Sequence, residues 1–170
     1  MNNITMIAAI GKNRELGINN DLIWHCKEDL KFFKEQTMGK PMVMGYNTYY
    51  SLPEHKPLPG REHIVLTSKE VSEYPELDYP QVKIVHTVSE LLDYINSIPS
   101  EVMIIGGASV YKTMLQYASK LLLTEIDEEE KNASVYFPEF NKDEYTSTEL
   151  CSHDEDGLFY KHLEYVKKEI

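Results

Sequence analysis

The stretch IWHCKEDLKFF, from Ile23 to Phe33, sets Cys26, Asp29, Leu30 and Phe33 on one face of a predicted helix. Three of the four are apolar, and Lys27, Lys31 and Lys34 fall elsewhere around the helix. The carboxylate in this stripe has two readings. An acid in a first turn favours the helix dipole. At the floor of an apolar pocket, desolvation would instead raise its pKa and suit it to proton chemistry or to gripping a protonated heterocycle.

Three other segments could bind an anionic ligand. MVMGYNT runs from a strand through Gly45 to a helix start carrying Thr48. VLTS ends a strand on Thr67 and Ser68, and MIIGGASVY passes from a strand through Gly106 and Gly107 into a helix. Helix N-termini present free N–H groups, and glycines admit a ligand close to the backbone. Each segment also has a plain reading: Thr48 as an N-cap, the paired glycines as a tight turn. Neither a G-x-G-x-x-G nor a Walker sequence is present.

The elements that must position these residues alternate. Strands are predicted at Ile4–Ile10, Pro41–Met44, Ile64–Thr67, Val82–Val85, Val102–Ile105 and Lys120–Glu125. Helices are predicted over Lys27–Gln36 and Asn47–Leu52, from Thr87 with a capping box to Glu90, and from the paired glycines to about Tyr117. Gly11–Leu22 reads as a polar loop long enough to be functional, and PEHKPLPGR as a proline-stiffened loop. Alternating stretches around DEDG, Asp154–Gly157, signal a C-terminal β-hairpin. The expected fold is α/β, one domain over 1–170, with a largely parallel sheet made mixed by the hairpin. In such sheets ligands bind at the carboxyl ends of the strands, where all three junctions fall.

The net charge of −11 argues against nucleic acid or an anionic membrane as partner. No apolar run approaches the ~20 residues of a membrane span. MNNITMIAAIG lacks a basic n-region and reads as a first strand, not a signal peptide. Cys26 and Cys151, without C-x-x-C spacing, read as free thiols in a reducing cytoplasm. The six histidines show no H-x-x-x-H pairing, so no metal site is expected. Arg14 and Arg61 stand against fifteen lysines; Arg14 reads as a solvated loop residue.

The chain resembles dihydrofolate reductase over nearly its whole length. ITMIAAIGKNRELG, the Ile23–Trp24 pair with Asp29, FFKEQTMGKPMVMG, LPGR, IVLTS, MIIGGASVY, LLLTEID and FPEF occur in that family's order. The resemblance implies an eight-stranded mixed, mostly parallel sheet with four helices, and NADPH-dependent reduction of 7,8-dihydrofolate to tetrahydrofolate. It implies that Asp29 binds the pterin's amino group and ring N–H and promotes N5 protonation, with Thr124 bonded to it and Trp24 positioning a water. Ile7, Leu22, Leu30, Phe33, Leu52, Ile105 and Tyr111 would wall the pocket. Arg61 would hold the glutamate carboxylate, with Lys34 and Lys56 adding positive potential.

On the cofactor side, the resemblance implies Ala9 at the carboxamide and Gly11–Leu22 as a lid, with Leu16, Ile18 and Asn20 in it. Gly45, Tyr46, Asn47, Thr48, Leu66, Thr67 and Ser68 would meet the adenosine half. Gly106, Gly107, Ala108, Ser109, Val110 and Tyr111 would cradle the remainder, with a cis bond between the paired glycines. Antifolate inhibitors are the implied small-molecule partners, and a monomer the implied state.

The sequence departs from the family pattern at several places. Tyr46 stands where an Arg usually meets the 2′-phosphate, so weaker discrimination between NADPH and NADH is expected unless Lys69 or His86 compensates. Ala108 replaces a third glycine and demands a negative φ. Ile23 stands where Pro is common. Ala133–Ser134 replace the Gly-Asp that latches the lid, and the Pro53–Lys56 connection looks longer than usual. Two rivals follow: a pyrimidine reductase of the same fold, and a silent binding protein that keeps the cleft.

Overall fold

The computed structural model describes residues 4–18 and 21–169. Strand β1 (Ile4–Ile10) is followed by β2 (Glu15–Ile18), β3 (Asp21–Leu22), helix α1 (Lys27–Thr37), β4 (Met42–Gly45) and α2 (Tyr46–Tyr50). Next come β5 (His63–Leu66), β6 (Val82–Val85), α3 (Val88–Asn96), β7 (Val102–Gly106), α4 (Ala108–Met114) and β8 (Lys120–Ile126). Short β9 (Val135–Tyr136) precedes the hairpin of β10 (Tyr145–Glu155) and β11 (Leu158–Lys167).

Eight strands form one mixed sheet in the order β10-β11-β8-β1-β7-β4-β5-β6. Only the β10–β11 and β11–β8 pairings are antiparallel. The four helices and the hairpin agree with the architecture expected from the sequence. Sequence and structure part at Gly11–Leu22. β2 and β3 lie in this expected loop and join β9 in a separate three-stranded sheet. Their alternation covers too few residues for a strand signal to stand out.

Side chains alternate across the large sheet as strand geometry requires. Val102 and Ile104 of β7 pack in a core with Leu91 and Ile95 of α3 and Val110 and Met114 of α4. Met103 packs on the opposite face with Met42, Met44 and Tyr49, against Phe32 and Phe33 of α1. Leu122 lies on this second face, and two residues further along β8 so does Thr124.

The sheet loosens at one point. β1 pairs with β7 from Ile4↔Val102 to Met6↔Ile104, whereas its pairing with β8 runs on to Ile10↔Glu125. Beyond Met6 the β1 and β7 ends part. α1 and α2 return over one face here and α4 over the other, so this is the switch point where α/β sheets open a cleft.

Candidate functional site

Helix α1 brings Asp29 to the C-terminal half of β8, where its carboxylate accepts a 2.5 Å hydrogen bond from Thr124 Oγ1. The Asp29 side chain stays 22% exposed, so it is sheltered yet reachable. Burial pushes its pKa above the ordinary carboxylate range, against the opposing pull of the Thr124 bond. Asp29 does lie in the first turn of α1, where the dipole favours an acid, but a different residue meets the free N–H groups there. Glu155, at the end of β10, accepts from the first-turn N–H groups of Lys27 at 3.2 Å and Glu28 at 2.9 Å. With these donors satisfied, Asp29 is left facing the sheet.

Several of the residues expected to wall the pocket lie on the sheet face that Asp29 meets. Thr124 lies beside Ala9 in the β1–β8 register. Phe33, Leu52 and Ile105 pack at the edge of the second-face core with Ile7. Leu30 and Leu22 are 54% and 49% exposed, so the apolar stripe of α1 does not face the core along its whole length. Trp24 packs with Ala9, Cys26 and Ile126. A Cβ on Gly11 would come 2.6 Å from the Trp24 ring, so only glycine lets this turn sit against it.

Arg61 is buried, donating from Nε to the Pro59 carbonyl at 3.0 Å and from a terminal nitrogen to Thr37 Oγ1 at 3.1 Å. Among the described residues no carboxylate lies in ion-pair distance of it. It is thus a pinned, uncompensated cation, whereas Lys34 is merely exposed and Lys56 pairs with Glu54 at 3.7 Å. Arg14 corrects its sequence reading: it holds the Phe137 carbonyl at 2.5 Å and Glu139 at 3.1 Å. The Pro53–His55 rim is a short 3-10 turn in which Glu54 and His55 both take positive φ.

The second half of the cleft lies beyond β1. The Gly106–Gly107 bond is cis, as the resemblance implied. A Cβ on Gly106 would meet Thr48 Oγ1 at 3.3 Å and the Tyr111 hydroxyl at 3.6 Å, so these residues form one narrow cradle. Tyr111 is buried and donates to the Ile7 carbonyl at 2.6 Å, tying this cradle to the Asp29 side. Ala108 opens α4 and keeps a negative φ, satisfying the condition set by its methyl group. Ser109 is exposed on α4, Val110 is buried, and a Cβ on Gly45 would touch it at 3.4 Å.

At the far end, Leu66 closes β5 and Thr67 Oγ1 accepts from the Lys69 amide at 3.2 Å, so that hydroxyl is already engaged. Ser68 and Asn47 are exposed. Lys69 Nζ stands 4.9 Å from the Tyr46 ring centre and 4.4 Å from that of Tyr74. Tyr46 itself is hydrogen-bonded to Glu76. His86 Nδ1 faces the Thr67 carbonyl at 2.6 Å, and Nε2 lies 3.1 Å from Glu70. Lys69 is therefore the cation nearest the Tyr46 ring.

Of the residues expected in the lid, Leu16 and Ile18 lie on β2; Asn20 lies outside the described residues. Glu15, buried, accepts from the amides of Asn13 at 2.6 Å and Glu130 at 2.7 Å. Ser134 donates to the Gly17 carbonyl from its amide at 2.9 Å and its hydroxyl at 3.4 Å. Sequence spacing did not single out Glu15, whose donor Glu130 is distant in the chain.

A second residue escaped the sequence reading. His162 of β11 pairs with Thr124 in the ladder and brings Nδ1 to 2.8 Å from Thr124 Oγ1. It is buried, its pKa is lowered to about 4 by burial and then by His153, and Phe32 stacks on it at 4.0 Å. The hairpin also brings Cys151, His153 and His162 together, a grouping that chain spacing between histidines does not reveal.

Comparison with known proteins converges on one family. A sequence profile of dihydrofolate reductase matches residues 3–167. The chain is similar to dihydrofolate reductase of Bacillus subtilis (strain 168), 36% identical over 97% of this chain and 95% of that protein. It is 42% identical to the Buchnera aphidicola subsp. Acyrthosiphon pisum protein of the same name, over 86% of this chain and 85% of that one. The fold matches dihydrofolate reductase from Enterococcus faecalis complexed with NADP(H) and RAB-propyl. That match has a TM-score of 0.82 at 27% identity, covering 98% and 97% of the two chains. Among the described residues no helix is long and apolar enough to cross a membrane.

Proposed function

The chain belongs to the dihydrofolate reductase family and is an NADPH-dependent oxidoreductase, and from that premise we propose how its residues carry the reaction. The substrate is 7,8-dihydrofolate and the product tetrahydrofolate. The observation that carries this reading is Asp29, sheltered yet 22% exposed, held by Thr124 at 2.5 Å beside the apolar second face of the sheet. A carboxylate there presents two acceptor oxygens to the pterin's amino group and ring N–H, and partial burial strengthens both bonds. Its raised pKa favours the delivery of a proton towards N5, by way of a water beside Trp24.

The cofactor supplies a hydride to C6. The chain's part is to align and to exclude water. Gly106 and Gly107 admit the cofactor's backbone where a Cβ would meet Thr48 and Tyr111. Ala9 lies beside Thr124 in the ladder, so a nicotinamide at its backbone would adjoin the pterin above Asp29. Ile7, Leu30, Phe33, Leu52 and Ile105 form the apolar wall. Arg61, with no acidic partner among the described residues, is left to bind the glutamate carboxylate. Lys69, over Tyr46, supplies a charge near the adenosine end in place of the family's usual Arg. The family resemblance implies a monomer; sedimentation equilibrium tests it.

The test is loss of reduced-nicotinamide absorbance with dihydrofolate and NADPH, in wild type and Asp29→Asn. Turnover that needs both ligands and collapses in the variant is expected. No turnover from a wild type that binds both ligands would overturn the reading in favour of a silent relative.

A further inference from the structure

We propose that Cys151, His153 and His162 form a binding site for one divalent transition metal ion of the zinc class, directly behind the Asp29–Thr124 pair. Cys151 faces His162 across the β10–β11 ladder, and His153, two residues along β10, projects from the same side. One ligand atom from each of the three lies within 4.8 Å of the others. Cys151 Sγ is already 3.6 Å from His153 Nε2.

The decisive atom is His162 Nε2. It is buried and, among the described residues, has no hydrogen-bond partner. Buried polar atoms are rarely left so, because each carries a desolvation cost. Its state follows from the other ring nitrogen. The ionised Asp29 can only accept, so the Thr124 hydroxyl gives it its proton. The same oxygen must then accept from Nδ1–H of His162 at 2.8 Å. Nε2 is left with a bare lone pair. A ring N–H held by an oxygen while the other nitrogen is free is the arrangement of a metal-bound histidine.

The donor set chooses the ion. One thiol and two imidazoles suit zinc and its borderline-soft neighbours, not magnesium or calcium. Three protein ligands leave a fourth position open. Phe32, stacked on His162 at 4.0 Å, holds that ring in place. Taken with the reductase reading, on which this clause alone rests, a bound ion fixes His162 as the donor to Thr124 and so acts on Asp29 from behind.

The test uses the full chain, stripped with a chelator. Calorimetric titration with Zn2+ should give one ion per chain, and Co2+ should give a sulfur-to-cobalt charge-transfer band. Cys151→Ala should remove the band, and His153→Ala should weaken Zn2+ binding by about tenfold or more. Cys151→Ser, nearly isosteric, serves if the alanine variant unfolds. No stoichiometric Zn2+ binding by the wild type, or equal binding by the variants, overturns the site. Turnover at saturating Zn2+ should change in the wild type and not in Cys151→Ala; unchanged turnover with the ion bound overturns the coupling. Calorimetry needs no turnover, so failure of the reductase reading is not mistaken for failure of the site.

Discussion

Thr124 Oγ1 and Asp29 Oδ1 lie 2.5 Å apart, joining the middle of the sheet to the first turn of α1. The bond favours the ionised carboxylate, whereas burial disfavours it. Thr124→Val keeps the shape and removes the hydroxyl. The Asp29 pKa should rise further, moving the kcat/KM profile to higher pH. The lost charge-assisted bond should also cost about 2 kcal/mol of stability. Titration of the rate and thermal unfolding of the variant check both; an unmoved profile would detach Thr124 from the carboxylate.

Asp29 and Glu155 should give stability profiles of opposite slope. Burial raises the Asp29 pKa, so in the window above its ordinary value the folded chain keeps a proton that the unfolded chain loses. Stability therefore falls as pH rises through that window. Asp29→Asn should lower turnover roughly 100-fold, yet melt higher than wild type at neutral pH, with the gap closing in acid. The Glu155 pKa is lowered, chiefly by the Glu28 amide and then by Tyr160. Its stabilisation is present at neutral pH and lost as pH falls through the folded value, so Glu155→Gln should melt lower at neutral pH and converge with wild type in acid.

Lys69→Ala tests the cation over Tyr46. Removal of this charge should lower kcat/KM for NADPH about tenfold and leave NADH nearly unchanged. A uniform loss with both cofactors would mean that Lys69 only props the Tyr46–Tyr74 pair.

Glu15→Ala tests the root of the lid. The Asn13 and Glu130 amides would lose their acceptor, destabilising the chain by about 2 kcal/mol. KM for NADPH should rise as β2 detaches from β9. Hydrogen exchange should quicken at Asn13 and Glu130. Ser134→Ala, which keeps the 2.9 Å amide bond to Gly17, should change either parameter about twofold at most.

The fold was largely legible because its strands are short apolar runs and its helices carry recognisable ends. Thr87 does accept from the Glu90 amide at 3.1 Å, though the Glu90 carboxylate returns to His86 and not to Thr87. The Asp29 stripe was visible by its period, but its exposure was not: Leu30 obeys the helical spacing and still faces solvent. The partner behind Thr124 was hidden for a geometric reason. His162 follows Thr124 by 38 residues and meets it only through β11–β8 pairing, whose register no local pattern specifies. Glu15 and Arg14 were hidden likewise, since their partners come from the far side of the chain.

β11 is last in chain order, yet it lies between β10 and β8, inside the sheet. During synthesis, β8 must wait with an unpaired edge until the hairpin emerges, and His162 arrives behind Thr124 only then. Assembly is thus committed late and rests on pairings far apart in sequence, a topology that folds slowly and leaves the nascent chain in need of protection from its neighbours.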